Sequence, residues 1–467
     1  MRKLFLAVLL FGLAFAVPAF TQQRWERIYE GPSRDEGRSV QQTTDGGYIV
    51  AGLTSSFGNG LNDVYLIKTN ASGDTLWAKT YGGAGEDYGY SVRQTTDGGY
   101  IVAGETYSFG NGGNVYLIKT NATGDTLWTR TYGGSNSDWG SSVQQTSDGG
   151  YIIAGCTYSF GDSVQVYLIK ASASGDTLWT KTYGGAYSDW GSSVQQTSDS
   201  GYIVTGYTAS FGNRYQVYLI KTNATGDTLW TRTYGWLDKD MGRSVQQTSD
   251  GGYIVAGETW VPWGYGDGDV YLIKTDDSGN AIWTRNYGGV YSDAGYSVQQ
   301  TQDGGYIVTG ETPSFGSGSA DVYLIKVKPS GDTLWTRTFG RSSYDYGNSV
   351  QQTTDGGYIV AGSSYTFGDG YQVYLIKTDA NGSSGVEKTA GVRGQRLGVR
   401  ITPTPNPFTS FATVTGHEAE RFSLYDISGR KVGAYKGDRI GEGLSAGVYF
   451  LRAEKGDQKP LRIVKVR

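Results

Sequence analysis

The sequence predicts an all-β chain: a seven-bladed β-propeller of four-stranded blades closed by the N-terminal strand, with a small C-terminal β-sandwich after it. Three observations carry this expectation. A tryptophan recurs at Trp25, Trp77, Trp128, Trp179, Trp230, Trp283 and Trp335, in steps of 51 to 53 residues. Each period holds four short runs of strand-forming residues separated by turn signals. The chain also opens with the one strand type that its last repeat lacks.

Taken in order, the chain begins with "MRKLFLAVLLFGLAFAVPA" (Met1–Ala19), where two cations precede an apolar run and then small residues. That is the build of a secretory signal peptide, and the run is too short to favour a membrane span. Small residues at Val17 and Ala19 suit cleavage after Ala19; cleavage after Ala16 is the alternative. No later segment is apolar enough to span a bilayer.

Residues 24–379 form the repeat region. Each unit reads "SVQQT", then "YIVAG" after a "DGG" turn, then "VYLIK", then "TLWTRTY" after a turn such as "ATGD". The middle runs are apolar at consecutive positions, which calls for cover on both faces. Sheets stacked face to face around an axis supply it. The opening "RWERIYEG" (Arg24–Gly31) is a lone strand of the tryptophan type, and the seventh unit stops after "VYLIKTD" (Val373–Asp379). The first piece is therefore expected to complete the last blade and remove an open edge.

Composition agrees. The 467 residues include 73 glycines and 14% aromatics, as many short strands joined by tight turns require. Cys156 is the one cysteine, so disulfides do not staple this fold, and its neighbours "IIAGCTYS" make it a buried strand residue. Residues 20–383 carry 23 Lys+Arg against 36 Asp+Glu, whereas residues 384–467 carry 15 against 8. An acidic body argues against nucleic acid or an anionic membrane as partner.

"VYLIKTNATGDTLWTRTYGG" (Val115–Gly134) resembles the third strand, turn and fourth strand of quinoprotein-type (PQQ-like) propeller repeats, in which a glycine precedes the tryptophan by four positions. The resemblance spans roughly residues 24–379. It implies the fold and a tryptophan docked on the neighbouring blade, but not the quinone. The sialidase Asp box has its glycine three positions before the aromatic and an Asp two before that glycine. Here Gly73 stands four before Trp77 and Asp74 follows it, so the register differs. The recurring "GDTLW" thus reads as turn plus packing peg.

A second seven-fold feature is the Asp-x-Gly at Asp35, Asp87, Asp138, Asp189, Asp240, Asp293 and Asp345. One carboxylate per loop falls far short of the oxygen shell calcium takes, so capping of loop amides is expected and no metal. The sequons at Asn70, Asn121 and Asn223 read as turn chemistry. His417, the only histidine, lies outside the repeats, so neither a Ser-His-Asp triad nor a histidine metal site can be built in them. Paired carboxylates remain available, though no pair stands out. No catalytic residue and no cofactor is predicted.

After a linker over 380–400, residues 401–467 resemble the C-terminal sorting domain of type IX secretion substrates in Bacteroidetes-like bacteria. The matching pieces are "PNPF" (Pro405–Phe408), "FSLYDISGRKV" (Phe422–Val432), "LSAGVYFLRAEKG" (Leu444–Gly456) and the basic end "LRIVKVR". The resemblance implies a small β-sandwich that engages the type IX machinery and delivers the chain, through the periplasm, to the cell surface or medium.

Three functions are open to such a chain: a monomeric binding or adhesion scaffold for a glycan or surface protein, an extracellular polysaccharide-acting enzyme, or a purely structural surface protein. Near-identical repeats without histidine favour the first and third. Symmetry breaks most clearly in blade five, where "YGWLDKD" (Tyr234–Asp240) and "WVPWGYGDG" (Trp260–Gly268) replace the usual loops. Trp236, Trp260, Trp263 and Tyr265 beside Asp238, Asp267 and Asp269 are the candidate ligand-binding residues, since flat aromatics flanked by acceptors suit sugar rings.

Overall fold

One period folds as one sheet. In the first blade the strands Asp35–Gln42, Tyr48–Thr54, Asp63–Thr69 and Thr75–Tyr81 run as an antiparallel meander from the channel outward. The computed structural model describes residues 23–212, 214–235, 239–260, 268–366, 369–386, 403–404, 413–414, 421–426, 430–436, 439–453 and 461–465. The leader, residues 387–400 of the expected linker, the Pro405–Phe408 stretch and His417 lie outside them. Among the described residues every regular element is a strand, and seven four-stranded sheets repeat the same order.

The second and third strands are buried along their whole length in blade one. Alternate residues serve opposite faces. Ile49, Ala51, Val64 and Leu66 meet Val92, Tyr100, Val102 and Tyr116 of blade two. Val50, Tyr65 and Ile67, on the other face, meet Ile359, Ala361, Val373 and Leu375 of blade seven. This two-sided burial is why the runs are apolar at consecutive positions.

The ring closes by the N-terminal strand. Trp25–Tyr29 pairs antiparallel with the third strand of blade seven, from Trp25 opposite Lys377 to Tyr29 opposite Val373. The turn after that third strand continues the blade pattern beyond residue 379: Gly382 lies against the Trp335 ring, and Ser384 donates to Glu26 at 2.6 Å.

Each of the seven repeat tryptophans sits on the next blade's turn. Trp77 meets Tyr100 edge to face at 5.8 Å, and a Cβ on Gly124 would fall 2.8 Å from the Trp77 ring. Gly124, with φ of +79°, both shapes the turn and admits the indole. Tyr81 fastens the same joint by donating to the Gly124 carbonyl at 2.6 Å. Trp25, Trp128, Trp179, Trp230, Trp283 and Trp335 make the same edge-to-face contact with Tyr48, Tyr151, Tyr202, Tyr253, Tyr306 and Tyr358.

The tail forms a separate four-stranded antiparallel sheet in the order Lys431–Lys436, Arg421–Asp426, Gly447–Ala453, Leu461–Lys465, with a short ladder between Pro403–Thr404 and Thr413–Val414. Phe422, Leu424, Ile440 and Leu451 make its core.

Candidate functional site

The "DGG" and "SGD" turns occupy one face of the ring, so the blade-to-blade loops and the loops between second and third strands share the other. Both loop sets converge on the start of each innermost strand, where the Asp-x-Gly aspartates stand. Asp87, Asp138, Asp189 and Asp293 accept loop N–H groups from Gly83, Gly134, Gly185 and Gly289 at 2.7–2.9 Å. They also accept serine hydroxyls from Ser108, Ser159, Ser210 and Ser314 at 2.6–2.7 Å. Asp345 accepts the Arg341 amide at 2.7 Å, Asp35 accepts the Ser56 and Thr54 hydroxyls, and Asp240 accepts the Thr259 hydroxyl. These carboxylates tie two loops of a blade together, and no group of three or more His, Cys, Asp or Glu that could hold a metal occurs among the described residues.

Of the blade-five candidates, Trp236, Asp238, Trp263, Tyr265 and Asp267 lie outside the described residues. Trp260 ends the second strand of blade five, half-buried opposite Gly268. Its backbone N–H donates to the Lys239 carbonyl at 3.0 Å, so the described ends of the two blade-five loops adjoin. Its indole Nε1 is buried without a hydrogen-bond partner among the described residues. Asp269 is the second residue of the third strand, opposite Thr259, the register place that Asp63 holds opposite Thr54 in blade one. It faces Gly288, at the end of the blade's outer strand.

The structure adds neighbours to Trp260 that the sequence reading did not single out. Lys239 Nζ lies 5.9 Å from both the Trp260 and Tyr215 ring centres. Tyr215 meets Trp190 and Tyr207 edge to face at 5.6 Å, and Trp190 stacks on Tyr207 at 4.7 Å. Arg243 lies 5.8 Å over Tyr207 and pairs with Glu258 at 2.6 Å. Tyr296 donates to Glu311 at 2.6 Å, and across the mouth Tyr90 donates to Glu105 at 3.2 Å. An aromatic and charged arc thus runs along blades four, five and six.

Its residues come from the variable places of an otherwise constant repeat: the x positions of D-x-G-x-S and G-x-T, the loop leading into "VYLI" and, for Lys239, the residue before the Asp-x-Gly. That variability was the available signal. Burial pushes the Glu311 and Glu105 carboxyls above the usual range. Burial acts against the Arg243 charge, but the Glu258 carboxylate outweighs it and holds the guanidinium above its ordinary value. Every carboxylate of the arc is already engaged by a phenol or guanidinium. The arrangement offers flat ring faces framed by fixed donors and acceptors, which is the chemistry of binding.

No protein-family model matches the chain, and no curated protein matches it. Solved structures similar to it include Sqt1 from Chaetomium thermophilum, at 9% identity and TM-score 0.45, over 96% of this chain and 99% of that one. The Pan2 WD40 domain of Neurospora crassa shares 9% identity at TM-score 0.46, over 77% of this chain and 97% of its own. A protein of unknown function from Dyadobacter fermentans shares 10% at TM-score 0.39, over 77% and 100%. The propeller itself stands on the strand order and ring closure described above.

Proposed function

We propose that this chain is an exported β-propeller that serves as a binding scaffold and recognises a glycan on its loop face. The observation that carries the reading is the arc of half-buried rings Trp190, Tyr207, Tyr215 and Trp260 with the exposed Lys239 beside them, where ring faces and a cation lie together at blades four and five. Sugar rings present C–H faces to aromatics and hydroxyls to charged rims, so this surface has the matching chemistry. The signal-peptide build of Met1–Ala19 and the sorting-domain resemblance of residues 401–467 support delivery outside the cell by type IX secretion.

Glycan-array binding of the purified protein, repeated with Trp190→Ala and Trp260→Ala, tests the reading. Each true stacking partner is expected to cost about 1 to 3 kcal/mol of affinity while the fold persists. Variants that melt early yet bind as wild type would make these rings packing only and put the glycan site elsewhere, whereas a wild-type chain that binds no glycan would overturn the reading in favour of a structural surface protein.

A further inference from the structure

Every innermost strand turns one edge away from its own sheet, and the N–H groups on that edge need acceptors. Neighbouring blades supply them in belts. In the first belt, the Val40, Val92 and Val143 N–H groups donate to the hydroxyls of Ser349, Ser39 and Ser91 at 3.2 Å, and so on around the ring. In the second, Gln351 Oε1 accepts the Gln42 N–H at 2.6 Å, Gln41 accepts Gln94 at 2.6 Å and Gln144 accepts Gln196 at 2.7 Å. Gln195, Gln246 and Gln299 continue it at 2.5–2.6 Å.

An amide N–H can only be received by the oxygen, so these contacts fix all six carboxamides. Each Oε1 gives one lone pair to the neighbouring blade, and the Nε2 groups of these six glutamines make no hydrogen bond among the described residues, so their hydrogens are available as donors. The seventh place in the belt is Arg93, which has no acceptor atom and cannot make the link to the Gln145 N–H. Arg93 and the six glutamines line one cavity of about 220 Å³ in the channel, and no carboxylate is among its lining residues. The one hydrogen bond of the guanidinium among the described residues runs from Nη1 to the carbonyl of Val92 at 2.7 Å. Here the channel wall carries a ring of carboxamides with available N–H donors and one cation without a carboxylate beside it, whereas the other mouth balances Arg243 with Glu258 and Arg38 with Glu36.

We propose that the Arg93 belt is an anion site, in which a small free oxyanion of the sulfate or phosphate class pairs with the guanidinium and takes further hydrogen bonds from the glutamine carboxamides. A planar guanidinium presents paired N–H groups to two oxygens of such an ion, and charge-assisted bonds of this kind are the strong ones. Burial also lowers the Arg93 pKa, the direction expected for a cation taken from water without a counter-charge. The site lies in the channel, away from the aromatic arc, and does not depend on the glycan reading.

The test uses the full chain, with sodium sulfate and sodium phosphate as probes against sodium chloride at equal ionic strength. Calorimetric titration is expected to show saturable binding near one ion per chain, and melting temperature should rise to a plateau with either probe. R93Q restores the glutamine present in the other blades, so it is expected to fold, to melt at or above wild type without anion, and to weaken binding more than tenfold. R93K keeps the charge without the fork and should fall between. Sulfate stabilises many proteins through surface exclusion, so equal shifts in wild type and R93Q would overturn the proposal, as would the absence of saturable binding to wild type.

Discussion

Lys119 Nζ lies 2.8 Å from Asp97 Oδ2, joining the third strand of blade two to the turn between its first and second strands. The same pair recurs around the ring as Lys68–Asp45, Lys170–Asp148, Lys221–Asp199, Lys274–Asp250, Lys326–Asp303 and Lys377–Asp355 at 2.8–2.9 Å. The Lys119 side chain is 4% exposed while its partner is 57% exposed, so the cation is the buried member. Lys119 also donates to the Thr120 carbonyl at 2.9 Å.

Removing the carboxylate should therefore cost more than removing the cation. Asp97→Ala leaves a buried ammonium with a carbonyl alone and is expected to destabilise by about 1 to 3 kcal/mol, whereas Lys119→Met fills the same space without charge and should cost less. Chemical denaturation of both single variants and the double variant measures the coupling. An Asp97→Ala cost that is unchanged in the Lys119→Met background would assign the loss to the turn instead.

The same pairs predict an acid limit. Burial alone would raise the Asp97, Asp148 and Asp199 carboxyls, but hydrogen bonds from Lys119, Lys170 and Lys221, from turn threonines and from glycine amides bring each down to about 2. A carboxyl depressed on folding stabilises fully above its unfolded value of about 3.9, and the contribution disappears as pH falls through the folded value. Melting temperature should thus drop between about pH 4 and pH 2. Because these aspartates are more than half exposed, each contributes modestly and the effect is the sum around the ring. Asp97→Asn should shrink the drop, and a profile that stays flat to pH 2 would contradict the assignment.

Ring closure makes the N-terminal strand structural. Trp25 is 7% exposed, meets Tyr48 at 5.8 Å and donates from Nε1 to the Ala71 carbonyl at 3.2 Å. Trp25→Ala is expected to cost about 3 to 5 kcal/mol. Deleting Gln22–Gly31 uncovers the edge of Val373–Thr378 and should produce aggregation on light scattering. A deleted chain that melts as the intact ring does would refute this.

The sorting-domain resemblance lies wholly in the tail, which has its own core at Phe422, Leu424, Ile440 and Leu451. Removing Thr402–Arg467 is expected to leave the propeller's melting transition in place and the protein in the periplasm. Appearance of the truncated chain in the medium at wild-type levels would remove the tail from the export route.

Much of the fold was legible because its signals are local and repeat. Turn glycines, "YIVAG" and "VYLIK" each dictate a short element, and a strand apolar on both faces admits few arrangements besides stacked sheets. The offset between Arg24–Gly31 and Val373–Asp379 even specified which strands pair across 344 to 352 residues, since Trp25 faces Lys377 and Tyr29 faces Val373 only once the ring closes. Trp260 could be singled out because its loop departs from the repeat.

The tertiary structure alone decided which variable residues meet. Trp190, Tyr207, Tyr215 and Lys239 sit on different strands and loops of two blades, and none forms a motif along the chain. Arg93 is an ordinary departure from "SVQQ" when read linearly. In the ring it becomes the one cation in a circle of six glutamines drawn from six other blades. Closure converts each repeat position into a belt around the axis. A single substitution therefore acquires neighbours some fifty residues away in sequence, and no local pattern encodes them.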